Sequence, residues 1–289
     1  MRAAEELRIA ALLSHTAPPY EEALRGFQQV LRRHGMHADV QVYRLEGEEA
    51  KGAAALADAQ QRGTHLFLAL GTVALHGIRQ ARITLPVVAG LVLRDTDLTH
   101  LPNASGVLLE FPIEQQLQWI QRVVPGAMTI GILYNPHENQ DRMTQAVEAA
   151  TRLGFTIDAQ AVQTPQEIPV ALQRLARVDV LLGIVDSVAL TPQTAKRMLL
   201  FSFRHRIPFV GPSAAWVKAG ALYALDWDYG DLGTQCGEMA LRVLRGKKRR
   251  TVPPVTPRTT RYVLNHRTAR HMKIALPKAL RRDAHQVFD

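Results

Sequence analysis

The chain has 289 residues, 47% of them hydrophobic and 21% charged, an ordinary balance for a soluble globular protein of about two domains. No apolar run approaches the ~20 residues of a membrane-spanning helix, and the single cysteine, Cys236, excludes an internal disulfide and a multi-cysteine zinc site. A net charge of +9 suits nucleic acid or an anionic membrane surface. The excess, however, lies late, in Lys247–Arg250 and Arg258–Arg282, without interleaved stacking aromatics and without a helix-turn-helix before the first strand, so a solvated basic surface and no nucleic-acid partner are expected.

Met1–Leu7 is too short and too charged for a signal peptide, which leaves a cytoplasmic chain or one whose leader has been removed. Arg8–Gly35 reads as an apolar strand, a polar Ser14–Pro19 loop and an amphipathic helix ended by Gly35. Pro18-Pro19 opens that helix, where a missing N–H costs nothing, and Ser14, His15 and Thr16 stand before it. Such a helix start, with unsatisfied N–H groups and partial positive charge, suits a carboxylate or phosphate. Equally, Ser14 and Thr16 can serve only to cap the turn. No acidic or nucleophilic partner marks His15 as a catalytic base. A strand (Ala38–Leu45), a helix (Glu49–Arg62) and the apolar strand Leu66–Leu70 follow, and Gly71-Thr72 opens another helix. Glycine lets the backbone approach a ligand closely, and threonine can cap the helix and donate to an anion. Neither a phosphate-binding loop nor a dinucleotide fingerprint is present. The strand Pro86–Val92 and the turn-rich Arg94–Asn103 lead to the strand Ser105–Phe111, with a first crossover placed around Ala104–Pro112, and the helix Ile113–Val124 follows it.

Thr129–Gly154 then repeats the opening order: an apolar strand (Thr129–Leu133), a polar loop (Tyr134–Asn139) and a helix ended by Gly154. A strand apolar throughout lies in a parallel sheet covered on both faces, and the loop at its carboxyl end is where open α/β sheets bind ligands. The repetition continues through a strand (Phe155–Gln163), a helix (Glu167–Arg177), a strand (Val180–Val185) ending in Asp186-Ser187, a helix opened by Thr191-Pro192, and the strand Pro208–Ser213. Matching elements lie about 120 residues apart, too far for a solenoid repeat and suited to a whole α/β lobe. Two such lobes with facing strand ends imply a cleft. Tyr134-Asn135-Pro136 can stack and orient a small ligand or simply turn the chain. Asp186 can pair with a ligand ammonium or cap its own loop. Trp216 follows Gly211-Pro212-Ser213 on a short helix. The strand Ala221–Asp228, the long helix Tyr229–Gly246 with Cys236 on its face, the proline-rich crossover Thr251–Pro257, the strand Thr260–Leu264 and a last helix opened by Leu276-Pro277 finish the chain.

From about Arg8 to Ala284 the chain resembles the extracytoplasmic substrate-binding proteins of ABC importers, the family that includes tryptophan- and phenylalanine-binding members. The resemblance is carried by PPYEEALRGF (Pro18–Phe27), ALGT (Ala69–Thr72), FPIEQQLQWI (Phe111–Ile120), PGAMTIGILYNP (Pro125–Pro136), VKAGALYALDWDYGDLGTQCGEMALRVLRGK (Val217–Lys247) and VLNHRTARHMKIALP (Val263–Pro277). It implies an α/β fold of the type I periplasmic-binding-protein kind: two Rossmann-like lobes, each a parallel sheet flanked by helices, joined by three crossovers and closing on a small ligand. The implied N-terminal lobe comprises residues 1–109 and 229–252, the C-terminal lobe 110–228 and 253–289. Ligand contacts are implied at Ser14, His15, Gly71, Thr72, Tyr134, Asn135, Asp186 and Ser213, to which Ser187 and Trp216 are added as neighbours in the same loops. No metal, cofactor or catalytic residue is implied. An enzyme on two such lobes would want a reactive cysteine pair, and only Cys236 exists. The expected partners are a small-molecule ligand and a membrane permease, or a sensor protein in its place, for a monomer working in the periplasm or another extracytoplasmic space.

The chain departs from amino-acid-binding relatives at three places. Val185-Asp186-Ser187 stands where they tend to have Thr-Asp-Asn, Pro212-Ser213 where they tend to have Ser-Asp, and Leu91-Val92-Leu93 where they tend to have Ser-Asp-Pro. Polar partners are lost and an apolar wall is gained, so an aromatic or otherwise apolar ligand bearing a carboxylate is expected.

Overall fold

The computed structural model describes residues 7–93, 98, 101–245 and 253–289. Most of Arg94–Asn103, all of Lys247–Arg250, the residues before Leu7, and the ends of two expected elements at Gly246 and at Thr251-Val252 lie outside the described residues. The chain divides into two units, Met1–Glu110 with Trp227–Thr259 and Phe111–Asp226 with Thr260–Asp289.

The first unit contains β1 (Leu7–Leu13), α1 (Pro18–Arg33), β2 (Ala38–Arg44), α2 (Glu49–Gln61), β3 (Leu66–Leu70), α3 (Thr72–Gln80), β4 (Val87–Val92) and β5 (Ala104–Leu108). Its strands are all parallel, in the order β2-β1-β3-β4-β5. Because side chains alternate across a strand, Ile9, Ala11 and Leu13 of β1 enter one apolar cluster and Ala10 and Leu12 another. Both faces are therefore buried, which is why these strands read as continuous apolar runs.

The second unit contains α4 (Ile113–Val123), β6 (Thr129–Tyr134), α5 (Pro136–Leu153), β7 (Thr156–Ala161), α6 (Ile168–Arg174), β8 (Val180–Leu182), α7 (Pro192–His205), β9 (Phe209–Gly211), α8 (Ala214–Ala219) and β10 (Tyr223–Trp227). The chain next forms α9 (Tyr229–Arg245) in the first unit, then β11 (Thr260–Asn265), α10 (His266–His271), α11 (Lys278–Arg282) and β12 (Gln286–Phe288) in the second. The sheet order is β12-β11-β10-β9-β8-β6-β7. Its first five strands repeat the 2-1-3-4-5 order of the first unit, so the duplication seen in the sequence is a duplication of topology. The expected α/β fold with two parallel sheets flanked by helices is present.

Three details differ from the sequence expectations. The β8 ladder stops at Leu182, three residues short, because the chain turns away to bury Asp186. A closing strand, β12, pairs with β11; three residues are too few to show a strand's alternation. Pro253–Thr259, expected with the second lobe, belongs to the first unit. There Val255 N–H donates to Gly106 O and Val255 O accepts from Leu108 N–H, extending the β5 edge. Arg258 then ties the stretch to Asp231 and Glu238 on α9.

α9 lies on α1 almost backbone to backbone. A Cβ on Gly26 would fall 2.0 Å from Gly230 O, and one on Gly233 would fall 1.9 Å from Ala23 O. Cys236 sits under this crossing, fully buried, with Sγ 3.7 Å from Ala89 O, and burial pushes its thiol up to about 12. It is a packing residue, as expected. Gly233→Ala should therefore force the two helices apart and cost about 3 kcal/mol of stability, read as a lowered urea midpoint. An unchanged midpoint would mean that the crossing relaxes freely.

Candidate functional site

In a doubly wound sheet of this order the crevice lies at the carboxyl ends of the first and third strands, where the connections diverge. In the first unit those ends are Ser14 after β1 and Gly71 after β3. Ser14 is 1% exposed. Its N–H donates to Leu70 O at 2.9 Å, and its Oγ accepts the Ala74 N–H at 3.0 Å, so one hydroxyl joins the end of β1 to the first turn of α3. Gly71 makes this possible. Its φ is +89°, and a Cβ there would stand 2.7 Å from Ser14 Oγ and 2.9 Å from Tyr20 Cε1. Tyr20 packs edge-on against the exposed His15 at 5.7 Å, and burial raises its phenol above the usual range.

The two helix starts in this unit differ in what they offer. The sequence suggests open N–H groups at α1, but Pro18 and Pro19 have none, and the Tyr20 and Glu21 N–H groups turn back to Ala17 O. At α3 the Ala74 N–H is taken by Ser14, and among the described residues nothing accepts from the N–H groups of Thr72 and Val73. The exposed Thr72 also borders a 280 Å³ hollow shared with Glu49, Val73, His76 and Arg79. The anion-binding potential expected of α1 therefore belongs to α3.

In the second unit the corresponding ends are Tyr134-Asn135 after β6 and Asp186-Ser187 after β8. Asp186 is 4% exposed. Its Oδ1 accepts the N–H groups of Val188 and Ala189 at 2.9 and 2.7 Å, and its Oδ2 accepts Asn135 N–H at 2.6 Å and Asn139 Nδ2 at 2.9 Å. A carboxylate has about four acceptor sites, so this one is fully used by its own protein. Of the two roles open to Asp186, the structure carries the loop cap: it holds its own loop and locks it to β6. Asn135 caps α5 by accepting His137 N–H at 3.1 Å, and Pro136 supplies no N–H, so this helix start is closed as well.

Glu138, unremarked in the sequence, is half-buried. It accepts the Ser187 N–H at 3.2 Å, the Ser187 hydroxyl, and Asn135 Nδ2 at 3.4 Å. Its position three residues after an N-cap Asn is the spacing of a helix-start motif, a signal that was available. Asn139, one turn beyond Asn135 and buried, gave no such signal. The Tyr134 hydroxyl reaches Gln140 Oε1 at 3.4 Å. Ser213 starts α8 with its hydroxyl uncapped. The partly buried Trp216 ring packs edge-on against Phe209 at 5.5 Å, at the border of the apolar cluster. Thus Ser14, His15, Gly71 and Thr72 gather in one unit and Asn135, Asp186 and Ser187 in the other, with Trp216 beside Phe209 after β9. Among the described residues no His, Cys, Asp or Glu cluster is fit to hold a metal ion, and no helix is long and apolar enough to cross a membrane.

A sequence model of the family described as ABC transporter substrate binding protein matches residues 6–288. A tyrosine-binding protein of Clostridioides difficile (strain R20291) is 27% identical over 191 residues, 64% of this chain and 54% of the relative, so the chain spans about half the length of the curated relative it matches. Among solved structures, an ABC domain from Streptococcus pneumonia in complex with L-Trp superposes with a TM-score of 0.66 at 23% identity, over 98% of this chain and all of that one. The ligand-free, open form of a substrate-binding protein with adhesive properties from Clostridium difficile superposes with a TM-score of 0.81 at 19% identity, over 98% and 99% of the two chains.

The donor count at Asp186 separates a structural role from a ligand-binding one. Asp186→Ala should lower the stability of the ligand-free protein by about 3 kcal/mol, since buried N–H donors lose their acceptor, measured by urea unfolding. A residue that served only a ligand would leave that value unchanged.

Proposed function

The chain belongs to the ABC transporter substrate-binding protein family, and from that premise we propose that it takes an aromatic or otherwise apolar amino acid, or a related carboxylate, outside the cytoplasm and hands it to a membrane permease. It is a binding protein and not an enzyme. The ligand class rests above all on one observation: Leu93 and Val185, just beyond the carboxyl ends of β4 and β8, are 43% and 44% exposed. Apolar side chains held in water beside polar loops gain about 25 cal/mol for each Å² that a ligand covers. A sugar would cover them with hydroxyls and lose that gain.

The charged ends of an amino acid have counterparts too. The Thr72 and Val73 N–H groups at the start of α3 suit a carboxylate, with the Thr72 hydroxyl beside them. Glu138, with Ser187, supplies negative charge for an ammonium. His15 and Tyr134 add ring surface, and Ser213 a hydroxyl. In this reading Ser14, Gly71, Asn135 and Asp186 set the loops in place, and the groups offered to a ligand are His15 and Thr72 in the first unit and Tyr134, Glu138 and Ser187 in the second. The tyrosine-binding name of one relative and the bound L-Trp of another support the same class.

A thermal-shift series tests the reading. An aromatic L-amino acid at about 100 times its Kd should add roughly 2.7 kcal/mol and raise Tm by several degrees, while hexoses and purines leave it unmoved. Leu93→Asn should weaken the aromatic ligand about tenfold, the worth of a partly covered Leu, without changing the melting of the free protein. Stabilisation by a sugar with none from any aromatic acid would overturn the assignment.

A further inference from the structure

One face of the second unit is strongly basic, with Asp289 at its border paired to His266 at the start of α10 at 2.9 Å. No Asp or Glu occurs between Asp186 and Asp226, nor between Glu238 and Asp283. α7 runs from the carboxyl end of β8 back to the amino end of β9, its parallel neighbour, so its last turn lies at the end of the sheet away from Asp186. There the ring of Phe203 stacks on His271 of α10 at 3.8 Å and 2°, which joins the two helices into one surface. Leu200, Phe203 and Arg204 follow Lys196 at helical spacings of four, seven and eight, so they form one stripe, and all are exposed. Phe203 is 51% and Leu200 42% exposed. Arg267 and Arg270 of α10, and Lys273 just after it, are exposed beside them. Among the described residues none of Arg204, Arg267, Arg270 and Lys273 has a carboxylate within ion-pair distance, whereas Arg152, Arg258 and Arg282 elsewhere do.

We infer that this face rests on an anionic lipid bilayer, with its cations among the headgroup phosphates and Phe203 and Leu200 at the boundary of headgroups and acyl chains. Two apolar side chains are too few for the dry core of a protein interface, which needs about 800 Å² per partner. A single exposed aromatic does not make the series of stacking platforms that single-stranded nucleic acid uses. Unpaired cations around a small apolar tip fit a charged membrane, where each Lys or Arg near the surface adds its own increment. A bilayer on this face leaves the loops at Asn135 and Asp186 open at the other end of the same unit.

Co-sedimentation of the full chain with vesicles tests the inference. At low salt the protein should bind phosphatidylcholine vesicles containing phosphatidylglycerol, ignore pure phosphatidylcholine, and dissociate as salt is raised. Removal of one cation should cost roughly five-fold in affinity, so Arg204→Glu with Arg270→Glu should cost more than twenty-fold. Phe203→Ser should weaken binding several-fold at unchanged charge, and Phe203→Leu should restore most of it. Arg32→Glu with Arg33→Glu, the same charge change at the end of α1, should leave binding as it was. Equal loss in that control would reduce the effect to net charge and overturn the inference. So would failure to bind anionic vesicles, or tighter binding to a short DNA than to the vesicles. Thermal melts of each variant establish that the fold is retained.

Discussion

A carboxylate buried as deeply as that of Asp186 can persist only where the protein replaces the water it has lost. Here the replacement is complete, with Asn135, Asn139, Val188 and Ala189 filling both oxygens. The end of β6, the start of α5 and the approach to α7 are thereby fixed about one side chain. The first unit solves the same problem with a neutral group. Ser14 closes the corresponding junction through a single hydroxyl, and Gly71 stands aside for it. Topology is duplicated between the units, but the chemistry of the lock is not. The loops around each lock keep their places before any ligand arrives, so their exposed side chains are presented without an ordering cost.

The prolines determine which helix start can meet an anion. α1 opens with two and α5 with one. At each, the remaining first-turn N–H groups are spent on Ala17 O or on the side chain and carbonyl of Asn135. At α3 the N–H groups of Thr72 and Val73 find no acceptor among the described residues, while that of Gly71 goes to Gly90 O and that of Ala74 is drawn inward to Ser14. The corresponding crevices of the two units therefore differ in charge: backbone dipoles stand at α3 in the first, and a carboxylate, Glu138, at the start of α5 in the second.

Much of this was legible in the sequence because it is local. The apolar runs of β1, β3 and β6, the helix-ending glycines and the paired order of elements follow from patterns within a few residues. The strand-end loops at Ser14, Gly71, Tyr134 and Asp186 could be placed for the same reason. What escaped depends on partners far along the chain. The role of Asp186 is decided by Asn139, 47 residues earlier. The allegiance of Pro253–Thr259 is decided by an edge bond to Gly106 and by acids on α9. The α1 start and Glu138 were misjudged with the answer in view, since proline carries no N–H to offer and Glu138 stands three residues after the N-cap Asn135.

The backbone around β4 links the apolar wall to a physical cost. Leu91 adopts φ of +59°, a left-handed conformation unfavourable for a branched residue, and the pairing with β5 slips between Gly90 and Val92. Strain of this kind costs of order 1 kcal/mol or more and persists where the surroundings over-determine it. Here Leu91 itself is buried and packed, so the slip is held by the core. Gly71 N–H donates to Gly90 O, which couples the strained turn directly to the glycine that Ser14 requires. Leu93, the first residue after β4, is 43% exposed, so a strand buried on both faces ends in an apolar side chain left in water.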